Sequence, residues 1–189
     1  MGTNIINQRT QLTSYTEYLE GLARSNSSEL FSNGGKDYAS ILMSVLLRHT
    51  RSEVRLYCHG FKAELISQEP YWSTLREYLN DEHKQLKVLV ETDEYTEEAP
   101  MRLLRETKER RADENSIVVK VIKPEDRKRI CEKFGDAHCN FGVFDNEKFR
   151  YEYDPEDYKA YGSFNRPEDC KIFTELFDSS FANSTQQLV

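Results

Sequence analysis

The sequence predicts an α/β fold in which a mostly parallel mixed sheet carries helices on both faces. Short apolar segments alternate with amphipathic segments of about ten to fifteen residues, which is the pattern of strands joined by helices. Because such strands are covered on both sides, the runs VRLYCHG, LKVLV and SIVVKVI predict a largely parallel sheet. A hairpin after them adds an antiparallel strand.

The first part of the chain supplies two helices before the first apolar strand. Apolar residues at helical spacing predict a helix over 10–24, with Ser14 and Glu17 at capping-box spacing, and a second helix over 36–49. The polar stretch between them breaks the helical pattern. A strand over 54–60 follows the second helix directly, so the alternation of helix and strand begins here.

The rest of the chain continues this alternation. Prolines stand near the predicted starts of several helices. They support these starts, because proline is compatible with a first helical turn. These helices cover 71–79, 100–111 and 124–134, and Asn165 is placed to cap a last helix with Pro167 near its start. The later strands are predicted at 86–90, 116–122, 138–144 and 149–153.

We expect a single α/β domain over residues 31–182. A helix and linker over 1–30 precede it, and a disordered tail over 183–189 follows it. A chain of 189 residues is large enough to bury about 70% of its unfolded surface.

The acidic composition restricts the possible partners. A net charge of −7 and a pI near 5.3 argue against non-specific binding to nucleic acid, which depends on Lys and Arg at the phosphates. No stretch approaches the roughly eighteen apolar residues of a membrane span, and the N-terminus lacks signal-peptide character. We therefore expect a cytoplasmic protein that needs no cofactor.

The four cysteines are too scattered for a zinc knuckle or a redox pair, so free thiols are expected. One alternative is a metal site, because Cys58 and His59 end one strand while His138 and Cys139 begin another. Closed zinc sites usually have paired ligands at short spacing, which disfavours this alternative.

Two short motifs point to chemistry. His138, Asn140 and Asp145 have the spacing H-x-N-x4-D in the run HCNFGVFD, and the run GSFN follows at 162–165. Side chains alternate along a strand, so positions 138 and 140 project to the same face. The two motifs flank a predicted hairpin, which would bring them to the same edge of the sheet.

This pair of motifs resembles the signature of the phospholipase D superfamily, H-x-K-x4-D followed by G-S-x-N. Asn140 stands where the family has lysine, and the interval before Gly162 is longer than usual, so part of it would be an insertion. The resemblance covers about residues 136–180 and implies half of a phospholipase D-like fold. It also implies catalysis in which one histidine attacks phosphorus and a second protonates the leaving oxygen.

The resemblance assigns a role to each motif residue. His138 would be the nucleophile or the acid, and Asp145 would orient a neighbouring group. The phosphate ligands would be Asn140, Ser163 and Asn165. His59 is a further candidate, because ligands of α/β sheets gather beyond the carboxyl ends of the strands.

Two functions remain open from the sequence. In the first, a degenerate site binds a phosphate, a phosphodiester or nucleic acid and acts as a weak nuclease or phosphodiesterase. In the second, the fold is kept as an inactive dimerisation or partner-binding module. Family members with one motif generally pair two copies around one site, so the resemblance implies a homodimer with His138 close to its two-fold axis.

Overall fold

The computed structural model describes residues 2–135 and 138–189, and for residues 2–6 the backbone alone. The strands are β1 Phe31–Asn33, β2 Glu53–Cys58, β3 Gln85–Val90, β4 Ile117–Val121, β5 Asn140–Phe144, β6 Lys148–Asp154 and β7 Lys159–Ser163. The helices are α1 Gly2–Arg24, α2 Lys36–Arg48, α3 Ala63–Ile66, α4 Tyr71–Asn80, α5 Ala99–Arg110, α6 Pro124–Phe134 and α7 Pro167–Asn183. Together the strands form one sheet in the order β1-β7-β6-β5-β2-β3-β4.

The sheet is mixed. β2, β3 and β4 run parallel to one another, as their apolar sequences predicted. β5 lies antiparallel beside β2, and β6, β7 and β1 continue the antiparallel half. The predicted α/β fold is confirmed, and the hairpin of β5 and β6 lies near the centre of the sheet.

Helices cover both faces of this sheet. On one face α1 to α5 pack against apolar side chains such as Val54, Leu86 and Val119. On the other face α6 and α7 pack against a cluster rich in aromatic residues, which includes Phe141 and Phe173. Burial on both faces accounts for the continuous apolar runs in the central strands.

The ends of α6 set the point at which the chain enters β5. Pro124 occupies the first turn of this helix, where its missing N–H costs nothing. Gly135 ends the helix with φ 67°, in the left-handed conformation that glycine adopts readily. The chain therefore leaves the helix just before His138 and Asn140.

Both ends of the chain differ from their predicted roles. α1 places Leu19 and Leu22 in the same core as the central strands, so this helix is part of the domain. The predicted disordered tail is wrong: Leu188 N donates to Val119 O, and Val121 N donates to Gln186 O. The last residues therefore lie along β4 at the edge of the sheet.

Two short strands were not predicted, and one of them changes the site. β7 carries the first half of GSFN and packs between β6 and β1. Gly162 is needed there for packing, because a Cβ at this position would lie 2.1 Å from Phe149 O. The close approach of two strands therefore explains this glycine without a ligand.

Within the described part of the chain, no helix combines the length and apolar character needed to cross a membrane.

Candidate functional site

A cavity of about 700 Å³ opens at the edge of the sheet where β5 begins; we call it the site cavity. Its volume lies within the range of about 300–1,000 Å³ that small-molecule sites occupy. The rim includes the exposed side chains of His59, His138 and Tyr153. The buried floor is formed by Met43, Leu56, Ile66, Tyr71, Arg150 and Glu152.

His138 and Asn140 share the site cavity, as their spacing predicted. The amide of Asn140 is already engaged on both sides. Its Oδ1 accepts a hydrogen bond from His59 N at 3.0 Å, and its Nδ2 lies 2.5 Å from Glu152 Oε2. Asn140 thus joins the start of β5 to the end of β2 and to β6.

His59 lies in the same cavity, directly after β2, where the sheet rule had placed it. Its Nδ1 is 3.0 Å from Glu91 Oε2, and Glu91 follows the neighbouring strand β3. A carboxylate in this position fixes the ring orientation and leaves Nε2 for a ligand. The structure therefore places two histidines of one chain at one cavity.

Glu91 is the centre of a small polar network. Tyr57 donates its hydroxyl to Glu91 Oε1 at 2.5 Å, and Arg127 Nε lies 2.9 Å from Oε2. Burial alone would raise the pKa of the Glu91 carboxyl, but the hydrogen bonds from Tyr57, His59 and Arg127 together hold its pKa below the usual value. Glu91 is therefore ionised at neutral pH and can orient His59.

The floor of the cavity carries a buried ion pair. Arg150 and Glu152 lie on the same face of β6, their side chains are only 6% and 5% exposed, and their charged groups are 2.5 Å apart. Glu152 also accepts the hydrogen bond from Asn140. Among the described residues, Arg150 Nε has no hydrogen-bond partner.

Asp145 lies at the opposite end of β5 from His138. It follows the last residue of β5, about 17 Å along the strand from Asn140 at roughly 3.4 Å per residue. Its carboxylate accepts hydrogen bonds from the backbone N–H groups of Arg51, Ser52 and Glu53 at 2.7–3.2 Å. In this structure the residue holds the turn before β2 and touches no group of the site cavity.

Ser163 and Asn165 also lie away from the cavity. β6 returns to the His138 edge, where Glu152 pairs with Asn140, but β7 then runs back, so that Ser163 pairs with Phe149. Ser163 Oγ donates to Ser27 O at 3.4 Å, and Asn165 Nδ2 donates to Asn26 O at 3.1 Å. The expected convergence of GSFN with His138 is wrong, because one additional strand reverses the chain.

The structure gives no support to the alternative of a metal site. Cys58 lines the cavity, but burial raises the pKa of its thiol to about 12, so it is protonated at neutral pH. Among residues 2–135 and 138–189, no group of three or more His, Cys, Asp or Glu side chains is arranged to hold a metal ion.

Three residues of the site were missed from the sequence. Glu91 begins an acidic run and therefore resembles part of a solvent-exposed loop, although it directly follows a parallel strand as His59 does. Arg150 and Glu152 alternate with tyrosines and therefore look like the solvent face of an edge strand. In fact β6 has a neighbour on each side, and its polar face forms the floor of a cavity.

No protein-family model matches this sequence, and no curated protein matches it. Similarity appears at the level of structure. Nuc from Salmonella typhimurium, a phospholipase D family member, aligns with a TM-score of 0.56 at 11% identity and covers 84% of this chain and 98% of its own. NucT from Helicobacter pylori aligns with a TM-score of 0.57 at 8% identity, over 84% of this chain and 99% of its own.

A third similar structure covers more of this chain. TrmBL2, an archaeal chromatin protein whose structure shows a mode of DNA binding, aligns with a TM-score of 0.57 at 11% identity. The alignment covers 98% of this chain and 66% of TrmBL2. The sheet, the helices on its two faces and these alignments establish that the chain has the fold of the phospholipase D superfamily.

Proposed function

We propose that this chain is a phospholipase D-like domain that binds a phosphate or phosphodiester group at the rim of the site cavity without efficient hydrolysis. One observation carries the proposal: His138 and His59 line the same cavity, with Asn140 between them in place of the family lysine. Imidazole N–H groups donate well to phosphate oxygens. The rim therefore retains ligand-binding groups in the region that the motif predicted.

We expect slow hydrolysis, because groups that would stabilise the charge of the transition state are missing from the cavity. The Asn140 amide is neutral, and it already bonds Glu152 and His59 N, so a phosphoryl oxygen finds no cation at this position. Ser163 and Asn165 bond the chain near Asn26 instead. Loss of a single electrostatic contact to the transition state typically costs on the order of a hundred- to a thousandfold in rate.

A small phosphate compound suits this protein better than a polynucleotide. TrmBL2 is a DNA-binding protein, and its similarity makes nucleic acid a ligand to consider. However, the net charge of this chain is −7, and affinity for nucleic acid comes mainly from cationic side chains on phosphates. A cavity with a buried, partly apolar floor also favours a small molecule over a polymer.

Ring NMR signals of the histidines test the proposal. Titration with inorganic phosphate and with dimethyl phosphate at pH 7 is expected to shift the ring resonances of His138 and His59. The exposed His83, whose backbone N–H bonds Asp81, is the internal control and should not shift. His138→Ala should weaken phosphate binding about tenfold, the loss expected for a charge-assisted hydrogen bond, while His83→Ala should not. Unchanged signals at both cavity histidines would contradict the proposal.

A second candidate function is a slow phosphodiesterase. The specific observation in its favour is the ionised Glu91 at 3.0 Å from His59 Nδ1, because a carboxylate-oriented histidine is the usual form of a general acid or base. His59 and His138 would then be the acid and the nucleophile of one subunit. The variants described in the Discussion measure this activity.

A homodimer remains a prediction that follows from the resemblance. The family mechanism requires a second histidine, and His59 offers one at the same cavity within one chain. Light scattering at micromolar concentration is expected to report twice the mass of 22.2 kDa. A monomer that still binds phosphate would assign the site to a single chain. A monomer that binds none would favour the alternative of an inactive partner-binding module.

A further inference from the structure

Lys62 brings a positive charge to the site cavity. It lines the same cavity as His59, follows it by three residues and is half-buried. Among the described residues, no carboxylate forms an ion pair with its ammonium, which lies 4.9 Å from the centre of the Tyr95 ring. Arg150 also lines the cavity, but Glu152 neutralises its charge. Lys62 therefore offers the cavity a charge that Arg150 does not.

The ring of Tyr95 holds Lys62 next to His59. The same ring lies against His59, with 6.5 Å between the two ring centres. It also packs tightly on Gly60, where a Cβ would lie 2.2 Å from a carbon of the Tyr95 ring. Burial raises the pKa of the Cys58 thiol to about 12, and the Lys62 ammonium acts in the opposite direction, so its charge is felt at the wall beside His59.

Carboxylates at the cavity have cationic partners that lie outside it. Glu64 Oε1 is 3.1 Å from Lys36 Nζ, and Asp154 Oδ2 is 2.9 Å from Lys159 Nζ. Glu156 also lines the cavity, but its side chain is exposed, so water and salt screen its charge. An anion in the cavity can therefore gain from Lys62 without a strong opposing charge.

The number of donors at the cavity indicates the kind of phosphate group. The Lys62 ammonium and the protonated rings of His59 and His138 are three donors for phosphate oxygens. A phosphate monoester presents three terminal oxygens and carries about two negative charges at neutral pH. A diester presents only two such oxygens and a single charge. A monoester therefore matches the donors and gains more from Lys62.

We infer that Lys62 is a cationic ligand of the phosphate group and that the site cavity selects a phosphate monoester over a phosphodiester. This inference rests on the proposed phosphate site at His138 and His59. It adds a ligand on the segment after β2, away from the position at which the family signature has its lysine. It also adds the ligand class, a terminal phosphate with one organic substituent.

Calorimetry at pH 7 with inorganic phosphate, methyl phosphate and dimethyl phosphate tests both parts. In the wild type, methyl phosphate is expected to bind about tenfold more tightly than dimethyl phosphate. In Lys62→Gln the affinity for methyl phosphate should fall about tenfold and that for dimethyl phosphate about threefold, because the lost attraction scales with the charge of the ligand. Lys62→Arg keeps the charge and should retain most of the affinity.

Lys171→Gln is the matched control. It changes the net charge by the same amount as Lys62→Gln, but Lys171 pairs with Glu168 on α7, outside the cavity. It should change none of the three affinities. Urea unfolding of both variants checks that a loss of binding does not come from a loss of the fold.

The outcomes distinguish the two proposals. If inorganic phosphate binds and Lys62→Gln changes no affinity, Lys62 is not a ligand and the phosphate site stands. If dimethyl phosphate binds the wild type as tightly as methyl phosphate, the monoester class is wrong. If none of the three compounds binds, the proposed function fails, and the inference fails with it.

Discussion

Replacement of Asp145 by alanine is expected to lower the free energy of unfolding by about 3 kcal/mol. The carboxylate accepts three backbone hydrogen bonds from Arg51, Ser52 and Glu53, and Lys148 Nζ lies 3.3 Å from it. Hydrogen bonds to a charged group contribute about 1.5–3 kcal/mol each, and water can replace part of them once the carboxylate is removed. Urea unfolding at pH 7 measures the loss.

Two comparisons identify the cause of this loss. Asp145 has φ 54°, which asparagine tolerates better than alanine, so Asp145→Asn should lose the charge with less backbone strain and fall between the wild type and Asp145→Ala. Asp169→Ala removes an exposed ion pair with Arg166 and should cost less than about 1 kcal/mol. An equally small cost for Asp145→Ala would show that this turn does not depend on the carboxylate.

The contribution of Asp145 should also depend on pH. Burial alone would raise the pKa of the carboxyl, but the backbone hydrogen bonds from Arg51, Ser52 and Glu53, with the Lys148 ammonium, hold it below its usual value. A pKa that is lower in the folded state gives stability that is complete above the unfolded value of about 3.9 and is lost as the pH falls toward the folded value. The stability difference between wild type and Asp145→Ala should therefore shrink below about pH 4.

The second large effect is expected from restoring the missing cation of the site. In Asn140→Lys alone, the new ammonium would lie beside Glu152, whose Oε2 is 2.5 Å from the present amide nitrogen. This carboxylate would neutralise much of the added charge, so hydrolysis of bis(4-nitrophenyl) phosphate should stay near the wild-type rate. The double variant Asn140→Lys/Glu152→Gln should hydrolyse the same compound faster than the wild type, by a factor on the order of a hundred.

Two further variants control this experiment. Glu152→Gln alone releases Arg150 from its ion pair, so it measures any gain that comes from that guanidinium rather than from position 140. His138→Ala in the double-variant background should remove the gain. A full gain from Asn140→Lys alone would show that Glu152 does not neutralise the site. Absence of any gain in a folded double variant would exclude phosphodiester chemistry at Asn140.

Most regular elements could be predicted because their hydrophobic patterns are strong. The predicted bounds of α2 and α4 agree with the structure within one residue, since apolar spacing and the flanking Gly35 and Pro70 limit both helices. β7 lacks such a pattern: Tyr161 is exposed, and Gly162 contributes no side chain. Short strands of this kind are held by their neighbours, and their own sequence carries little signal.

The site could be predicted only in part, because a short sequence motif does not determine how the strands around it pair. The spacing of His138 and Asn140 and the position of His59 after a strand were sufficient to bring them to one cavity. GSFN would have reached the same end of the sheet as these residues only if the chain had reversed its direction once between the two motifs. β7 adds a second reversal and leaves Glu152 at the level where the motif was expected.

Side-chain hydrogen bonds join the neighbouring strands β2 and β5 at both ends. At one end Asp145 bonds the turn before β2, and at the other Asn140 bonds His59 just after β2. The ladder between them cannot fray from either end without breaking a side-chain bond as well. The spacing of the histidine-bearing segments is therefore preset before a ligand arrives, and little ordering entropy remains to be lost there on binding.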